Sequence, residues 1–324
     1  LETASDFSGS SYSHSLTITA TESALSLSDS ENITTSGTYT APPSFSNDKF
    51  LKAGNNTGSA YDDVDFKLNG SNLNPFANNN DWPSMTDTWS MSFWFKLNQT
   101  STNFDAFICF AGSDTRYHCK MFHLYNYFTV SLTAPDSAYD ARIYHNTFNT
   151  WQHFVIVKSA AIPQSGNYDS TLGKYVIQIY LNGVAQNPGV GFFDNSPVFS
   201  STSWDGESSF DRFFLFGGGH YYNSILTSFA STKQASAVWN IDELATWNKE
   251  LSSSEVTAIY NSGTAFDYTT LASSYNLAKY FRFGDHSSDV TSTPMRFYDE
   301  VGGTVYFEEG TNQDGSLPGG AEDY

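Results

Sequence analysis

From Leu51 to Thr246, apolar and polar residues alternate in short runs, and turn-forming residues close each run. A two-residue period places successive side chains on opposite faces of an extended strand. The runs predicted as strands are Tyr61–Leu68, Ser90–Leu97, Phe104–Ala111, Tyr117–Leu132, Gln152–Lys158, Lys174–Leu181, Arg212–Phe216 and Ala237–Thr246. In Lys174–Leu181, the residues Tyr175, Ile177 and Ile179 share one face, and Val176, Gln178 and Tyr180 share the other. Asn182-Gly183 follows, a pair suited to a two-residue type I′ hairpin because both positions need positive φ. One helix interrupts the strands. Ser252 and Glu255 form a capping box, Val256, Ile259 and Tyr260 supply an apolar stripe, and Gly263 offers a stop. Short strands, tight turns and little helix predict two antiparallel sheets packed face to face. Trp94, Trp151, Phe154 and Trp247 fall inside this pattern and are expected as core or sheet-edge aromatics.

The flanks read differently. Residues 1–50 are rich in Ser and Thr, carry a weak strand at Ser15–Thr21 and break at Pro42-Pro43. They are an N-terminal arm or small β module, or else a partly disordered linker. Residues 51–265 hold the sandwich. Residues 266–324 form a C-terminal β extension, with a strand at Ala278–Phe283 and hairpin-like pieces around Gly302-Gly303 and Gly319-Gly320. An isolated hairpin is marginal in water, so the flanking strands need a sheet edge. That edge lies on their own domain or on another copy of the chain. The second option makes the protein an oligomer or lattice subunit and buries Tyr280, Phe281 and Phe283 between copies. The chain opens on Leu1, so it is expected to be a processed form or a fragment.

The order of several pieces carries a resemblance. MSFWFKLN, NTWQHFVIVK, YLNGV, FLFGGG and WNIDELATWNKELSSSEVTAIYNSG occur in that sequence between Leu51 and Gly263. This order resembles the laminin-G/pentraxin-like group of concanavalin-A-like jelly rolls. The resemblance implies an all-β, concanavalin-A-like/laminin-G-like jelly-roll sandwich with short β flanks and one short helix. Downstream, NLAKYFRFGD (Asn276–Asp285) resembles an element that follows such domains in phage structural proteins, especially marine ones. That implies a virion-surface fibre, decoration or appendage subunit, whose partners are copies of itself or other virion proteins. The alternative is a secreted or cell-surface bacterial adhesion module. Either reading places the chain on a virion surface or outside the cell.

Composition narrows the partners. Aromatics make up 17% of the 324 residues and charged residues only 15%, so a large core is within reach. Asp and Glu number 34 against 15 Lys and Arg, for a formal net charge of −19. Phosphate polyanions and anionic membranes are repelled, which argues against nucleic acid. Cations, neutral glycans and protein surfaces remain. No apolar run of about 18 residues exists, so no membrane insertion is expected. Cys109 and Cys119 flank a turn, and a hairpin closed at Gly112–Thr115 would set them opposite each other, as a disulfide or as two reduced thiols. Asn-x-Ser/Thr sequons occur at Asn32, Asn55, Asn69 and Asn98 and matter only in a secretory pathway.

Catalysis is not expected. Glycan hydrolysis on this fold needs two carboxylates on one strand face. Asp62, Asp63 and Asp65 read as a polar edge, and alternation sends Asp242 and Glu243 to opposite faces. His118, His123, His153 and His220 have no nucleophile or carboxylate at a recognisable spacing. The family resemblance implies a structural Ca²⁺ held partly by Asp242, with Asp299 resembling a turn that supplies calcium oxygens in some relatives. The alternative for Asp242 is a strand-end carboxylate that accepts backbone N–H groups. For glycans, the loops offer Trp82, Tyr139, Tyr168, Trp204, Tyr221 and Tyr222 as stacking faces, or as packing surfaces against the flanks or a neighbouring subunit.

Overall fold

The computed structural model describes residues 11–22, 27–38, 49–53, 65–70, 76, 87–97, 105–111, 117–124, 126–134, 137–161, 168–190, 212–216, 219–220, 233–234, 239–292, 294–309 and 319–323. The chain divides into two compact units, Leu1–Ser46 and Asn47–Tyr324. In the first, β1 (Ser11–Glu22) and β2 (Leu27–Thr38) pair antiparallel, with Leu16 opposite Ile33. The strand expected at Ser15–Thr21 is the middle of β1.

The second unit opens with β3 (Lys49–Ala53), β4 (Asp65–Gly70), β5 (Trp89–Leu97), β6 (Asp105–Ala111), β7 (Tyr117–Leu124) and β8 (Tyr127–Ala134). It continues through β9 (Ser137–Tyr144), β10 (Gln152–Lys158), β11 (Tyr168–Asp169), β12 (Lys174–Tyr175), β13 (Ile177–Leu181), β14 (Val184–Ala185) and β15 (Gly189–Val190). Next come β16 (Arg212–Phe216), β17 (Gly219–His220), β18 (Lys233–Gln234), β19 (Trp239–Trp247) and helix α1 (Ser253–Tyr260). The last strands are β20 (Leu277–Phe281), β21 (Arg296–Tyr298), β22 (Val305–Glu309) and β23 (Gly319–Asp323).

Two large antiparallel sheets result. The eight-stranded sheet runs β14-β13-β10-β5-β19-β3-β23, with β20 also paired to β19. The nine-stranded sheet runs β15-β9-β8-β7-β6-β16-β4-β22-β21. Phe93 and Phe95 of β5, Phe154 of β10 and Ile241 of β19 share one buried cluster with Met121 of β7, Phe128 of β8 and Phe307 of β22. That shared cluster makes the pair an all-β jelly-roll sandwich, as expected from the alternating runs. Each fully buried Phe or Ile contributes about 1.5–3 kcal/mol by leaving water.

The other face of the eight-stranded sheet is covered as well. Val155, Val157, Tyr180, Trp247 and Tyr280 pack there against Leu251, Val256, Ile259 and Tyr268. Helix α1 forms because Ser252 accepts from the Glu255 N–H while Glu255 accepts from the Ser252 N–H at 2.9 Å, which is the expected capping box. It ends at Asn261, in the left-handed region at φ 46, just before the expected stop at Gly263. The Asn182-Gly183 turn adopts φ 51 and 76, as the type I′ reading requires. A Cβ at Gly183 would also meet the Tyr260 ring at 2.8 Å, so glycine is needed there twice over.

Two expectations change. Tyr117–Leu132 is two strands, β7 and β8, that fold back on each other with Cys119 opposite Leu132. Across β6 and β7, Cys119 faces Phe110 while Cys109 faces Lys120, because the register shifts there, so the cysteines are not opposite one another. The C-terminal strands find their edges within the chain. β20 pairs with β19, and β22 pairs with β4. Tyr280, Phe281 and Phe283 are thereby buried inside this unit rather than awaiting another copy.

Candidate functional site

The two residues expected to diverge, Asp242 and Glu243, are brought to one face. β19 slips its register against β5 between Asp242 and Ala245, and Glu243 sits at φ 51. Such a bulge inserts an extra residue and resets the alternation. Ile241 and Leu244 both enter the inter-sheet core, so the two carboxylates between them point the other way. Glu243 accepts from the Tyr280 hydroxyl, and burial first, then the charges of Glu243 and Asp242, push up the Tyr268 hydroxyl pKa, which places both carboxylates under the outer layer. Asp242 and Glu243 are each 0% exposed. Burial, then the Asp242 charge, raises the Glu243 pKa well above the usual carboxyl range, and Arg282 at 3.6 Å opposes this. Arg282 also reaches Asp285 at 3.6 Å and Glu300 at 3.8 Å. At 0% exposure, and with Glu243 beside the Arg282 guanidinium, the two carboxylates present no surface to a sugar.

Calcium does not fit these donors. Asp299 Oδ1 accepts from the N–H groups of Tyr280 at 2.9 Å and Val301 at 3.0 Å, and Oδ2 accepts from Gly302 at 3.2 Å. Lys279 lies 3.8 Å away. These contacts pin the YDEVGG turn to β20. Asp242 Oδ1 accepts from the Glu243 N–H at 2.8 Å, inside β19 at its bulge and not at a strand end. Among the described residues, no three His, Cys, Asp or Glu side chains are grouped to hold a metal.

His123, His145 and His153 are buried and structural, and the side chains of His118 and His220 lie outside the described residues. His153 lies wholly buried on the outer side of β10, with Nε2 3.3 Å from the Tyr268 hydroxyl. Burial lowers its pKa to about 3. His123 and His145 meet in a T-shaped contact at 5.3 Å beside Phe148 and Phe154. His123 faces the carbonyl of His145 at 3.2 Å, and burial lowers its pKa to about 4.

Among the expected glycan-stacking residues, Trp82, Trp204, Tyr221 and Tyr222 lie outside the described residues. Tyr139 pairs with Leu132 along the backbone of β9 and β8, and its side chain likewise lies outside the description. Tyr168 is 56% exposed on the β11–β12 hairpin, its ring braced at 5.2 Å by Tyr175. The hairpin is tied down by Asp169 Oδ1, which accepts from the N–H groups of Thr171 and Leu172, and by a Lys174–Glu250 ion pair.

A second aromatic surface had not been expected. On the outer side of β21 and β22, the Tyr298 and Tyr306 rings lie 5.0 Å apart, and His286 stacks on Tyr298 at 6.0 Å. Arg296 lies over the Tyr306 ring at 5.4 Å and pairs with Glu308 at 2.7 Å. Asn69 of β4 donates to Glu308 at 2.8 Å. The signal was present in Arg296-Phe297-Tyr298 and Val305–Glu309, where buried and partly exposed positions alternate. At the far end of the same sheet Tyr144 is 59% exposed, with Arg142 over Tyr127 at 4.8 Å.

No protein-family model matches the sequence, and no curated protein is detectably similar to it. Several solved structures are similar in part. A candidate carbohydrate-binding protein from Bacteroides ovatus aligns at 13% identity and a TM-score of 0.47, over 86% of this chain and 65% of that one. A native heptameric SAP-like pentraxin from Limulus polyphemus aligns at 12% identity and 0.44, over 84% and 98%. The binding domain of botulinum neurotoxin DC, solved with rat synaptotagmin II, aligns at 13% identity and 0.40, over 79% and 59%. The chain thus spans less than two thirds of the Bacteroides and neurotoxin chains.

Proposed function

We propose that the protein is a carbohydrate-binding β-sandwich module without hydrolytic activity, displayed on a virion surface or another extracellular surface. One contrast carries the reading. The carboxylate pair that could act on a glycosidic bond is sealed at 0% exposure, while tyrosine rings on rigid strands are turned to solvent, Tyr168 by 56% and Tyr144 by 59%. Sugars stack on such faces, and a chain of net charge −19 suits neutral rather than anionic glycans. The virion placement draws on the resemblance of Asn276–Asp285 to a phage structural element, and genes for a portal or tail protein beside this one would support it. The function is tested on a glycan array together with a reducing-end assay on β-glucan, agarose and alginate. Retention on neutral glycans without release of reducing ends is expected. Silence across all neutral glycans, or hydrolysis, would overturn the reading.

A further inference from the structure

The two flanks of the sandwich end differently. In the C-terminal flank, β20 pairs with β19 and β22 with β4. In the N-terminal flank, β1 and β2 pair only with each other among the described residues, from Ser11 opposite Thr38 to Glu22 opposite Leu27. A two-stranded hairpin is marginal in water, and each outer edge carries a row of backbone N–H and C=O groups that a further strand can meet. The two edges differ in charge. β2 carries Asp29 and Glu31, so two β2 strands side by side would bring four acids to one seam. From Ser11 to Thr21, β1 has no acid, no Lys or Arg and no Pro, the residues that ordinarily guard an exposed edge.

The order of residues along β1 also suits it to meet itself. Its odd positions from Ser11 to Thr21 are all Ser or Thr, and its even positions run Tyr12, His14, Leu16, Ile18 and Ala20. The two sets lie on opposite faces, and residues directly opposed across an antiparallel pair share a face. A two-fold axis at Leu16 sets Leu16 against its own copy, Ile18 against His14, Ala20 against Tyr12 and each Ser against a Thr. Both faces then continue across the seam, whereas a slip by one residue would exchange them. We propose that β1 pairs antiparallel with β1 of a second copy about a two-fold axis at Leu16, joining two hairpins into a four-stranded sheet in the order β2-β1-β1-β2. Four strands pass the three that independent stability requires. This dimer contact is separate from the carbohydrate-binding reading and stands or falls without it.

The test is analytical sedimentation of the full chain as wild type, Leu16→Lys and Leu16→Glu. The wild type should sediment as a dimer. Each variant opposes like charges at the axis and should weaken self-association by about tenfold or more. An equimolar mixture of the two variants opposes Lys to Glu and should restore the dimer, which a folding defect in either one would not allow. A second readout needs no charge. Under mild oxidation, Leu16→Cys should link chains in pairs severalfold faster than Ile18→Cys, whose partner across the axis is His14. A monomeric wild type would overturn the proposal, because the edge is then left open or covered within its own chain. A dimer that both charges leave intact would place the contact elsewhere and overturn it too. Equal linking of the two cysteine variants would overturn the pairing about Leu16.

Discussion

Strand β10 faces two different solvents. On its inner side, Phe154 stacks on Phe93 at 5.8 Å and meets Phe128 of the other sheet at 4.6 Å. On its outer side, His153 meets Tyr268 in a layer that also holds Trp247 and Tyr280 and covers the Glu243 carboxyl. The inner layer is held by area and shape, which many apolar residues of the right size can supply. The outer layer also holds tyrosine hydroxyls that meet fixed partners, Tyr268 with His153 and the Ile259 carbonyl, and Tyr280 with Glu243 and the Phe266 carbonyl. One face tolerates approximation, and the other depends on position.

The first way to sharpen this contrast is to empty the inner layer. Phe154→Ala removes a ring that touches both sheets and should cost about 3–5 kcal/mol in denaturant unfolding. A loss below about 1 kcal/mol would mean that the sheets are held together elsewhere.

Acid gives the next largest effect. Burial lowers His123 to about 4 and His153 to about 3, from an ordinary value of 6.5. A histidine with a depressed folded pKa stabilises the fold fully above pH 6.5 and loses that contribution as pH falls through the folded value. For His123 the loss amounts to about 3 kcal/mol once it is protonated. Glu243, Asp289 and Asp299 are raised by burial and act with the opposite sign. The comparison of wild type with His123→Leu therefore isolates the histidine. The variant should unfold with a flatter acid limb between pH 6.5 and 4, and overlaid limbs would place the acid sensitivity in other groups.

The outer layer responds to a single oxygen. Tyr268→Phe keeps the ring and removes the hydroxyl facing His153 Nε2 at 3.3 Å. A buried polar atom left without its partner costs about 1–3 kcal/mol. A neutral result would show that packing, not hydrogen bonding, seats this layer.

The two layers also differ in how far the sequence discloses them. Inner positions such as Phe93, Phe95 and Ile179 follow from alternation within one strand, because a two-residue period needs only local information. The same holds for the Ser252–Glu255 cap and the Asn182-Gly183 turn. The outer layer joins Glu243 to Tyr280 and His153 to Tyr268, partners 37 and 115 residues apart. No local period reports such pairs. The bulge at Glu243 was hidden for a related reason: a positive φ at a glutamate is imposed by its surroundings rather than by its own preference. Tyr298 and Tyr306 were within reach, since their alternation is plain, but three- and five-residue strands at a sheet edge give a weak signal beside the longer runs.

The smallest effect is expected where the chemistry looks most charged. Glu243 is wholly buried, and burial first, then Asp242, raises its pKa against the opposition of Arg282. A raised carboxyl stabilises the fold fully below its unfolded value of 4.5, and that contribution is lost as pH rises through the folded value. Glutamine mimics the protonated form at every pH and can still accept from the Tyr280 hydroxyl. Arg282 keeps Asp285 and Glu300 as partners. Glu243→Gln should therefore change stability by less than about 1 kcal/mol at pH 4 and should gain on the wild type as pH rises, measured by denaturant unfolding across that range. If the variant instead loses about 3 kcal/mol or more at pH 7, Glu243 is a charged partner of Arg282. The outer layer would then be an ion-pair layer, and its contrast with the inner one would be of charge rather than of hydrogen-bond geometry.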